Sequence, residues 1–192
     1  MSIDENSSDA RLIEAVNNGD SSAFGVIVRR YQSVVAATVI GIMGPGDEAE
    51  EVGHETMIKL FRSLDRFKGQ SELKTFLTRI AINASLDALR RRKRNLKRFI
   101  IPSTEEAARS WEETIPSDAD HGRDFENRQA VDFALAQLKP EFRAVAVLRL
   151  MQGFTVEESA EILRIPTGTV LSRLSRAKSQ LADILRKELS GV

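Results

Sequence analysis

The chain carries, near its C-terminus, a cluster of side chains whose types and spacing suit hydrogen bonding to DNA. Its members are Thr167, Thr169, Ser172, Arg173, Arg176 and Lys178. Arginine can donate two hydrogen bonds to the edge of a guanine, and each such pair discriminates between bases by about 1–3 kcal/mol. Lysine, serine and threonine reach phosphate oxygens, which position a protein on the duplex without reading its sequence. These residues therefore predict binding to duplex DNA.

A helix-turn-helix is the element that would position this cluster. Thr155 and Glu158 have the spacing of a capping box at the start of a first helix. The apolar face of that helix is expected to consist of Val156, Ala160 and Leu163. Proline and glycine in the segment 164–168 end it. The apolar stripe of the second helix consists of Val170, Leu174, Ala177 and Leu181. The alternative is a helical hairpin whose arginines form only a solvated face.

Composition limits the classes of protein to which the chain can belong. Of its 192 residues 42% are hydrophobic, which is enough for packed cores in one domain or two small ones. It has no cysteine and only two histidines, His54 and His121, so disulfides and thiolate metal sites are excluded and we expect no metal or cofactor. No apolar run approaches the about 20 residues of a membrane span, and the acidic, polar N-terminus is unlike a signal peptide. We therefore expect a soluble, cytoplasmic protein without membrane insertion.

Charge is unevenly distributed although the net charge is zero. The segment 87–98 contains seven arginines and lysines against one aspartate, whereas the segment 103–126 contains eight acidic residues against two arginines. Basic blocks bind the phosphate backbone, and their position matters more than the sum of charges. The pattern predicts contact with DNA in two places and with protein elsewhere.

Helical periodicity predicts an all-α protein with two small helical domains joined by a flexible acidic linker. We expect a disordered segment at 1–8, a first domain at 9–95, the linker at 96–123 and a second domain at 124–192.

Helix starts and apolar stripes can be placed within these domains. Helices of the first domain are expected to begin at Asp9, at Asp20 or Ser21, at Asp47 and at Ser71, and one of the second domain at Pro140. The third helix is expected to bury Leu60 and Phe61, and the helix after Pro140 to bury Leu148 and Leu150. The fourth helix has two apolar stripes, one through Leu77 and one through Ile82, so we expect it to be largely buried.

Four stretches combine these features in one order: DARLIEAVNNGDSSAF, DEAEEVGHETMIKLFRSLDRF, KTFLTRIAINASLDALRRRKR and LKPEFRAVAVLRLMQGFTVEESAEILRIPTGTVLSRLSRAKSQL. The first three resemble the second domain of extracytoplasmic-function RNA polymerase sigma factors, and the last resembles their fourth domain. The resemblance covers nearly the whole chain outside the linker. It implies a subunit with no catalytic activity that binds core RNA polymerase and directs transcription initiation from promoters with −10 and −35 elements. It also implies control by an anti-sigma factor, as in stress-response transcription.

The resemblance assigns roles to three groups of residues. Core polymerase, through the clamp helices and flap of its large subunits, would be bound with the help of Asp47, Glu51, Glu55 and Lys59. The −10 element would be bound by Lys68, Asn83, Arg90, Arg91 and Arg94, with Asn83 in the family's Ile-Ala-x-Asn pattern. The −35 element would be bound by the C-terminal cluster listed above. Two positions depart from the family pattern: His54, where relatives often carry glutamine, and Leu171, where they usually carry lysine or arginine.

Each group also has a plainer interpretation. The acids at the start of the third helix stabilise its dipole, Asn83 is a satisfied surface amide, the basic run is a solvated helix end, and Thr167 and Thr169 are only caps.

Three other functions compete with the sigma factor hypothesis. A stand-alone helix-turn-helix regulator would bind a palindromic duplex without polymerase. An enzyme would need a nucleophile–base pair, a phosphate loop or paired carboxylates, and no such pattern appears. An adaptor that only titrates an anti-sigma factor would not need DNA-contacting arginines in both domains.

Overall fold

The computed structural model describes residues 3–99 and 122–189, with side chains at 3–95 and 129–187. All regular structure within these ranges is helical, which confirms the predicted all-α class. The helices are α1 (Asp9–Asn17), α2 (Ser21–Met43), α3 (Asp47–Phe61), α4 (Leu73–Phe99), α5 (Gly122–Gln137), α6 (Pro140–Ala146), α7 (Val156–Leu163) and α8 (Thr167–Leu189), with a 3-10 turn at Leu64–Arg66 and a π-helical turn at Val147–Met151. We call α1–α4 the N-terminal body and α5–α8 the C-terminal body. The predicted linker at 96–123 lies mostly outside the described residues.

Local capping chemistry fixes the first helix boundaries where the sequence predicted them. The hydroxyl of Ser8 caps α1 by accepting a hydrogen bond from a backbone N–H of the first turn, and Asp20 caps α2 in the same way. Asn18 and Gly19 end α1, with Gly19 at a φ of 92° that a residue with a side chain rarely adopts. The Gly-Pro-Gly segment at 44–46 separates α2 from α3.

Residues 3–8, for which the sequence predicted disorder, form a turn against α2. Ser7 is buried there. Arg30 of α2 donates hydrogen bonds of 2.7 Å to the backbone carbonyls of Glu5 and Ser7, and it also forms an ion pair with Asp9. The acceptors are mostly backbone oxygens, so the side-chain pattern of the segment gave no sign of this contact.

Helix α2 is the central helix of the N-terminal body and packs against α1, α3 and α4. Its residues Ile27, Val39 and Ile42 are fully buried. By length and composition α2 is apolar enough to cross a membrane. The expectation that no apolar run approaches the length of a membrane span was therefore wrong. Half of the most apolar 18-residue stretch of α2 is buried inside the protein. The core helix of a globular body can have the same length and hydropathy as a membrane-spanning helix.

Helix α3 buries a narrower face than its sequence predicted. Val52, Thr56 and Leu60 are buried, but Phe61 remains 50% exposed. Its ring meets the ring of Phe24 edge-on, with 4.9 Å between the centroids. With 3.6 residues per turn, adjacent side chains point about 100° apart, so with Leu60 in the core Phe61 lies at its edge, where Phe24 covers only part of the ring.

Helix α4 begins at Leu73, two residues after the serine that was expected to cap it. Each of the two predicted apolar stripes has fully buried members. Leu77 and Ala81 belong to the main core, whereas Ile82 belongs to a second cluster that it forms with residues of the C-terminal body. The expectation that α4 is largely buried is therefore confirmed, and the second body is what covers its second stripe.

The C-terminal body contains one irregularity that the sequence did not reveal. Pro140 begins α6 as predicted, but the helix then widens into the π-helical turn. Because a π-helix has more residues per turn than an α-helix, it changes the direction in which later side chains point. Leu148 is fully buried, whereas Leu150, which was also expected in the core, is 48% exposed, because a residue two positions on points to the other side of a helix.

The two bodies pack against each other, in an arrangement that we call the closed form. Helices α5 and α6 and the π-helical turn contact α2, and α7 contacts α4. Leu138, Phe142 and Val147 of the C-terminal body join the same buried cluster as Leu12 and Ile27 of the N-terminal body. The sequence predicted two domains on a tether and gave no indication that they share a core.

Candidate nucleic-acid interface

Two local motifs shape the predicted helix-turn-helix. The Thr155 hydroxyl accepts a hydrogen bond from the backbone N–H of Glu158 at 3.1 Å, and the Glu158 carboxylate accepts one from the backbone N–H of Thr155 at 2.6 Å. This completes the predicted capping box. Arg164 ends α7 with a φ of 54°, and among the described residues it is the one non-glycine residue with a positive φ. The left-handed geometry lets the chain turn directly into α8.

The buried face of α7 differs from the predicted one. Ser159 and Ile162 are buried, whereas Val156, Ala160 and Leu163 are each only half-buried. Ile162 points into the cluster that it forms with Ile82, Leu148 and Phe154. The helix is therefore turned towards α4, a neighbour that the periodicity of α7 alone could not identify.

The predicted apolar stripe of α8 is confirmed. Val170 and Ala177 are fully buried, and Leu174 and Leu181 are half-buried. On the remaining surface Thr167, Ser172, Arg176 and Lys178 are exposed, and Thr169 and Arg173 are half-buried. The exposed polar side of the helix is thus open to solvent and suited to a DNA groove.

Leu171 is an apolar exception on this helix. Its side chain is 53% exposed between polar neighbours. Next to it, the hydroxyl of Ser172 donates a hydrogen bond of 3.1 Å to the carbonyl of Thr169, which holds the serine in place. An exposed leucine at the N-terminal end of such a helix is available for apolar contact with a base.

Helix α4 brings the second basic group together. Arg90 pairs with Asp87 of the same helix at 2.7 Å, and Arg91 lies 3.9 Å from Glu55 of α3. Lys93 and Arg94 are exposed. The side chains of the two further basic residues at 97 and 98 lie outside the described residues.

Asn83 is exposed on α4, and Lys68 is exposed in the segment before it. The residue next to Asn83, Ile82, is only 1% exposed because the C-terminal body covers it. The candidate base-reading amide therefore follows directly, in sequence, a residue of the contact between the two bodies.

The proposed polymerase-binding residues lie along α3. Asp47, Glu51 and Lys59 are exposed and Glu55 is half-buried. Glu55 pairs with Lys59 at 2.9 Å as well as with α4. Beside them, a groove of about 380 Å³ between α2 and α3 is lined in part by Ile40, Gly53 and His54. Glu55 faces α4 and the groove faces α2, so the predicted contact residues and the groove lie on neighbouring sides of α3.

A second groove, of about 550 Å³, lies between the two bodies. Arg90 and Lys93 of α4 line one side, and Glu141 of α6 and Arg173 of α8 line the other. The closed form therefore brings a residue predicted to contact the −10 element close to one predicted to contact the −35 element.

Arg143, which the sequence analysis did not single out, links the two bodies. Its guanidinium donates to the carbonyl of Leu138 at 3.0 Å, to that of Ala136, and to that of Ile42 in the other body at 2.6 Å. Burial lowers the pKa of Arg143 from its usual value, with a smaller effect from the nearby Arg92. The available signal was an arginine within the otherwise apolar run FRAVAVL, since a buried arginine requires hydrogen-bond acceptors.

No cluster of three or more histidine, aspartate or glutamate side chains that could hold a metal ion occurs in the described part of the chain. The site is instead a set of hydrogen-bond donors and cations on two helices, together with an acidic face on a third. Its chemistry is the binding of polyanions and of protein.

Comparison with known proteins identifies both bodies. Residues 27–95 match the family described as Sigma-70 region 2, and residues 128–181 match Sigma-70, region 4. The RNA polymerase sigma-H factor of Pseudomonas aeruginosa is 30% identical over 189 residues, which cover 93% of this chain and 94% of that protein. The ECF RNA polymerase sigma-E factor of Salmonella typhimurium is 33% identical over 184 residues, covering 93% and 95%.

A solved structure of a sigma factor is also similar to this chain. The sigma factor RpoE in complex with the anti-sigma factor NepR from Bartonella quintana is 26% identical, with a TM-score of 0.69, over 85% of this chain and 96% of that one. Matches to regions 2 and 4 on two helical bodies define a transcription initiation factor. The chain belongs to the extracytoplasmic-function family of sigma factors.

Proposed function

We propose that this sigma factor binds core RNA polymerase through the face formed by α2 and α3, and that it reads its promoter with α4 and α8. The observation that carries the proposal is the pairing of two separate basic surfaces, one on each body, in a chain of zero net charge. A factor that must hold two promoter elements and a protein partner needs cationic surfaces for the DNA and a different surface for the partner.

The core-binding face would act through Asp47, Glu51, Glu55 and Lys59, supported by the groove between α2 and α3. Exposed acids on a helix attract a basic partner surface, and the apolar floor of the groove adds the area that a stable contact needs. The clamp helices of the polymerase large subunit are the proposed partner of this face, with the flap as the proposed partner of the C-terminal body.

The −10 element would be bound by α4. Base recognition in opened DNA requires a polar group that reads the Watson–Crick edge of an unstacked base, and the exposed amide of Asn83 both donates and accepts. Lys68, Arg90, Arg91 and Arg94 would neutralise the phosphates of the same strand, which adds salt-dependent affinity without sequence preference.

The −35 element would be bound by α8 in the major groove. Arg173 and Arg176 are the candidates for guanine, and Thr167, Thr169, Ser172 and Lys178 are those for phosphates. Thr167 lies at the first position of the helix, where backbone N–H groups also favour a phosphate.

An anti-sigma factor is the proposed regulator, since the similar Bartonella quintana protein was solved in complex with one. The chain would act in the cytoplasm, where RNA polymerase works, and without a catalytic activity of its own.

Run-off transcription with bacterial core polymerase on genomic promoter fragments tests the function. We expect the wild-type chain to direct discrete starts, Asn83→Ala to lose them while still binding core polymerase, and Glu51→Lys to lose core binding itself. A chain that neither binds core polymerase nor directs starts, yet shifts a palindromic duplex alone, would instead be a stand-alone regulator.

A further inference from the structure

Arg164 has a backbone conformation that favours glycine. Its φ is 54°, and the other five residues with a positive φ in the described ranges are all glycines. In this left-handed region the Cβ atom of any other residue comes too close to the following carbonyl oxygen. An arginine at this position therefore makes the folded chain less stable than a glycine would.

Two backbone hydrogen bonds fix the conformation of Arg164. The N–H of Ile165 donates to the carbonyl of Ala160 at 3.1 Å. The N–H of Arg164 itself donates to the carbonyl of Glu161 at 3.3 Å. Together they form the Schellman motif, which ends a helix on a left-handed residue. The turn of the helix-turn-helix therefore requires the left-handed geometry at position 164, whichever residue occupies it.

The side chain of Arg164 gains no ion pair that would offset this cost. It is exposed, and no acid within the described ranges pairs with it. Arg164 is also the one cation between Thr155 and Ser172, a segment that contains three glutamates. The first helix and the turn of the helix-turn-helix thus have this guanidinium as their one cationic group for a phosphate.

The turn places Arg164 close to the DNA-binding end of α8. In a helix-turn-helix the first helix crosses the DNA backbone, and the N-terminal end of the second enters the major groove. Arg164 lies three residues before Thr167, the first residue of α8, and three residues span at most about 11 Å. A Cβ atom added to Gly168 would meet no atom within 4 Å, so the start of α8 is open to an approaching DNA strand.

We propose that Arg164 is a phosphate-binding residue of the helix-turn-helix, held by the turn beside the DNA strand that flanks α8 at the −35 element. The proposal rests on the proposed function and deepens it. Backbone strain of this kind is typical of functional sites. The guanidinium neutralises one phosphate and releases a counterion, which adds salt-dependent affinity. A phosphate contact does not read bases, so the added affinity is the same for all sequences.

Two substitutions separate the charge of Arg164 from its backbone cost. Arg164→Gln removes the charge and keeps a side chain at the left-handed position, whereas Arg164→Gly removes the charge and the backbone cost together. The matched control is Arg186→Gln in the last turn of α8. Arg186 is exposed, and it lies 19 residues after Thr167, about 28 Å along the helix axis from the end that enters the groove.

Binding is measured by fluorescence anisotropy at several salt concentrations, with holoenzyme and a labelled duplex from a fragment that the wild-type chain transcribes. Both Arg164 variants should reduce the slope of log K against log salt by about 0.9, the value for one phosphate. If the affinities converge near 1 M salt, this slope corresponds to about fivefold weaker binding near 0.15 M. Arg186→Gln should change neither the slope nor the affinity.

Urea titrations of the same variants give a readout that a purely structural role would not produce. Arg164→Gly should unfold at a higher urea concentration than the wild-type chain although it binds DNA more weakly, and Arg164→Gln should unfold at the wild-type concentration. If Arg164 only complements the dipole of α7, Arg164→Gln lowers the urea midpoint and leaves the salt slope unchanged, which overturns the proposal. An equal loss of slope in Arg186→Gln overturns it as well.

A failure of the proposed function gives a different pattern, because the full chain without polymerase is titrated in parallel with a labelled random-sequence duplex. If the wild-type chain directs no transcription but binds this duplex, and Arg164→Gln reduces that slope, the phosphate contact stands and the promoter function does not. If the wild-type chain binds neither duplex, with or without polymerase, both proposals are wrong.

Discussion

Two glycines of helix α2 offer a matched pair of substitutions that isolates the contact between the bodies. Gly41→Ala places a methyl group 2.9 Å from a methyl carbon of Val147, well inside the about 3.5–4.0 Å at which carbon atoms attract. Gly25→Ala places the same group in an open position, where the nearest atom is a flexible Arg29 nitrogen at 3.5 Å. Both variants gain about 0.8–1 kcal/mol of intrinsic helix propensity.

The gain in helix propensity acts on the folding equilibrium, whereas the clash with Val147 acts on the docking of the two bodies. Helix α2 is helical whether the bodies are docked or apart, so the propensity gain cancels from the docking equilibrium and raises only the free energy of unfolding. Overpacking costs about 1–3 kcal/mol, and at position 41 this cost applies only when the bodies are docked. Gly41→Ala should therefore lower the ratio of closed to open chain by about 5–150-fold, while Gly25→Ala leaves it unchanged.

Pulsed dipolar spectroscopy between nitroxide labels at Ser33→Cys of α2 and Ser179→Cys of α8, both exposed positions, measures how far the two bodies lie apart, and circular dichroism checks that both variants fold. We expect a broader, longer distance distribution for Gly41→Ala and not for Gly25→Ala. Superimposable distributions for the two variants would refute the reasoning, because they would mean that α2 does not approach the π-helical turn in solution.

Two further predictions concern the DNA-facing side of α8, and a third concerns the stability of the N-terminal body. Leu171→Ala should weaken binding to a −35 element only where the element offers a thymine methyl, and replacing that thymine by deoxyuridine should abolish the difference in duplex titrations with holoenzyme. Arg176→Ala should cost about 1–3 kcal/mol at one guanine position, whereas Lys178→Ala should weaken binding to all sequences and reduce the salt slope by about one; both are read from fluorescence anisotropy at several salt concentrations. Burial and the hydrogen bond to Asp9 raise the pKa of Tyr31, so its proton is held more tightly in the folded chain. The free energy of unfolding should then fall as pH rises above about 10, less steeply in Tyr31→Phe, as urea titrations at pH 8 and pH 10.5 would show.

The helix-turn-helix shows how far sequence reasoning reaches. The capping box at Thr155, the turn after Leu163 and the stripe through Val170 and Ala177 were all predicted and are confirmed. Each depends on residues within one or two turns of each other, so the sequence contains every partner. The DNA-facing side of α8 follows from that stripe by geometry alone. The roles of its individual side chains stay predictions, as do the boundaries of the domains.

The tertiary structure decided which helix faces and side chains meet when they lie far apart in the sequence. Ile162 is buried in place of its neighbours on α7 because α4, about 80 residues earlier, covers it. Arg143 is held by the carbonyl of Ile42, 101 residues away, and a backbone oxygen has no signature in the sequence. The short-range chemistry of caps, turns and periodicity determined the helices and their polar faces, whereas the docking of the two bodies depends on contacts between distant residues, which only the folded chain brings together.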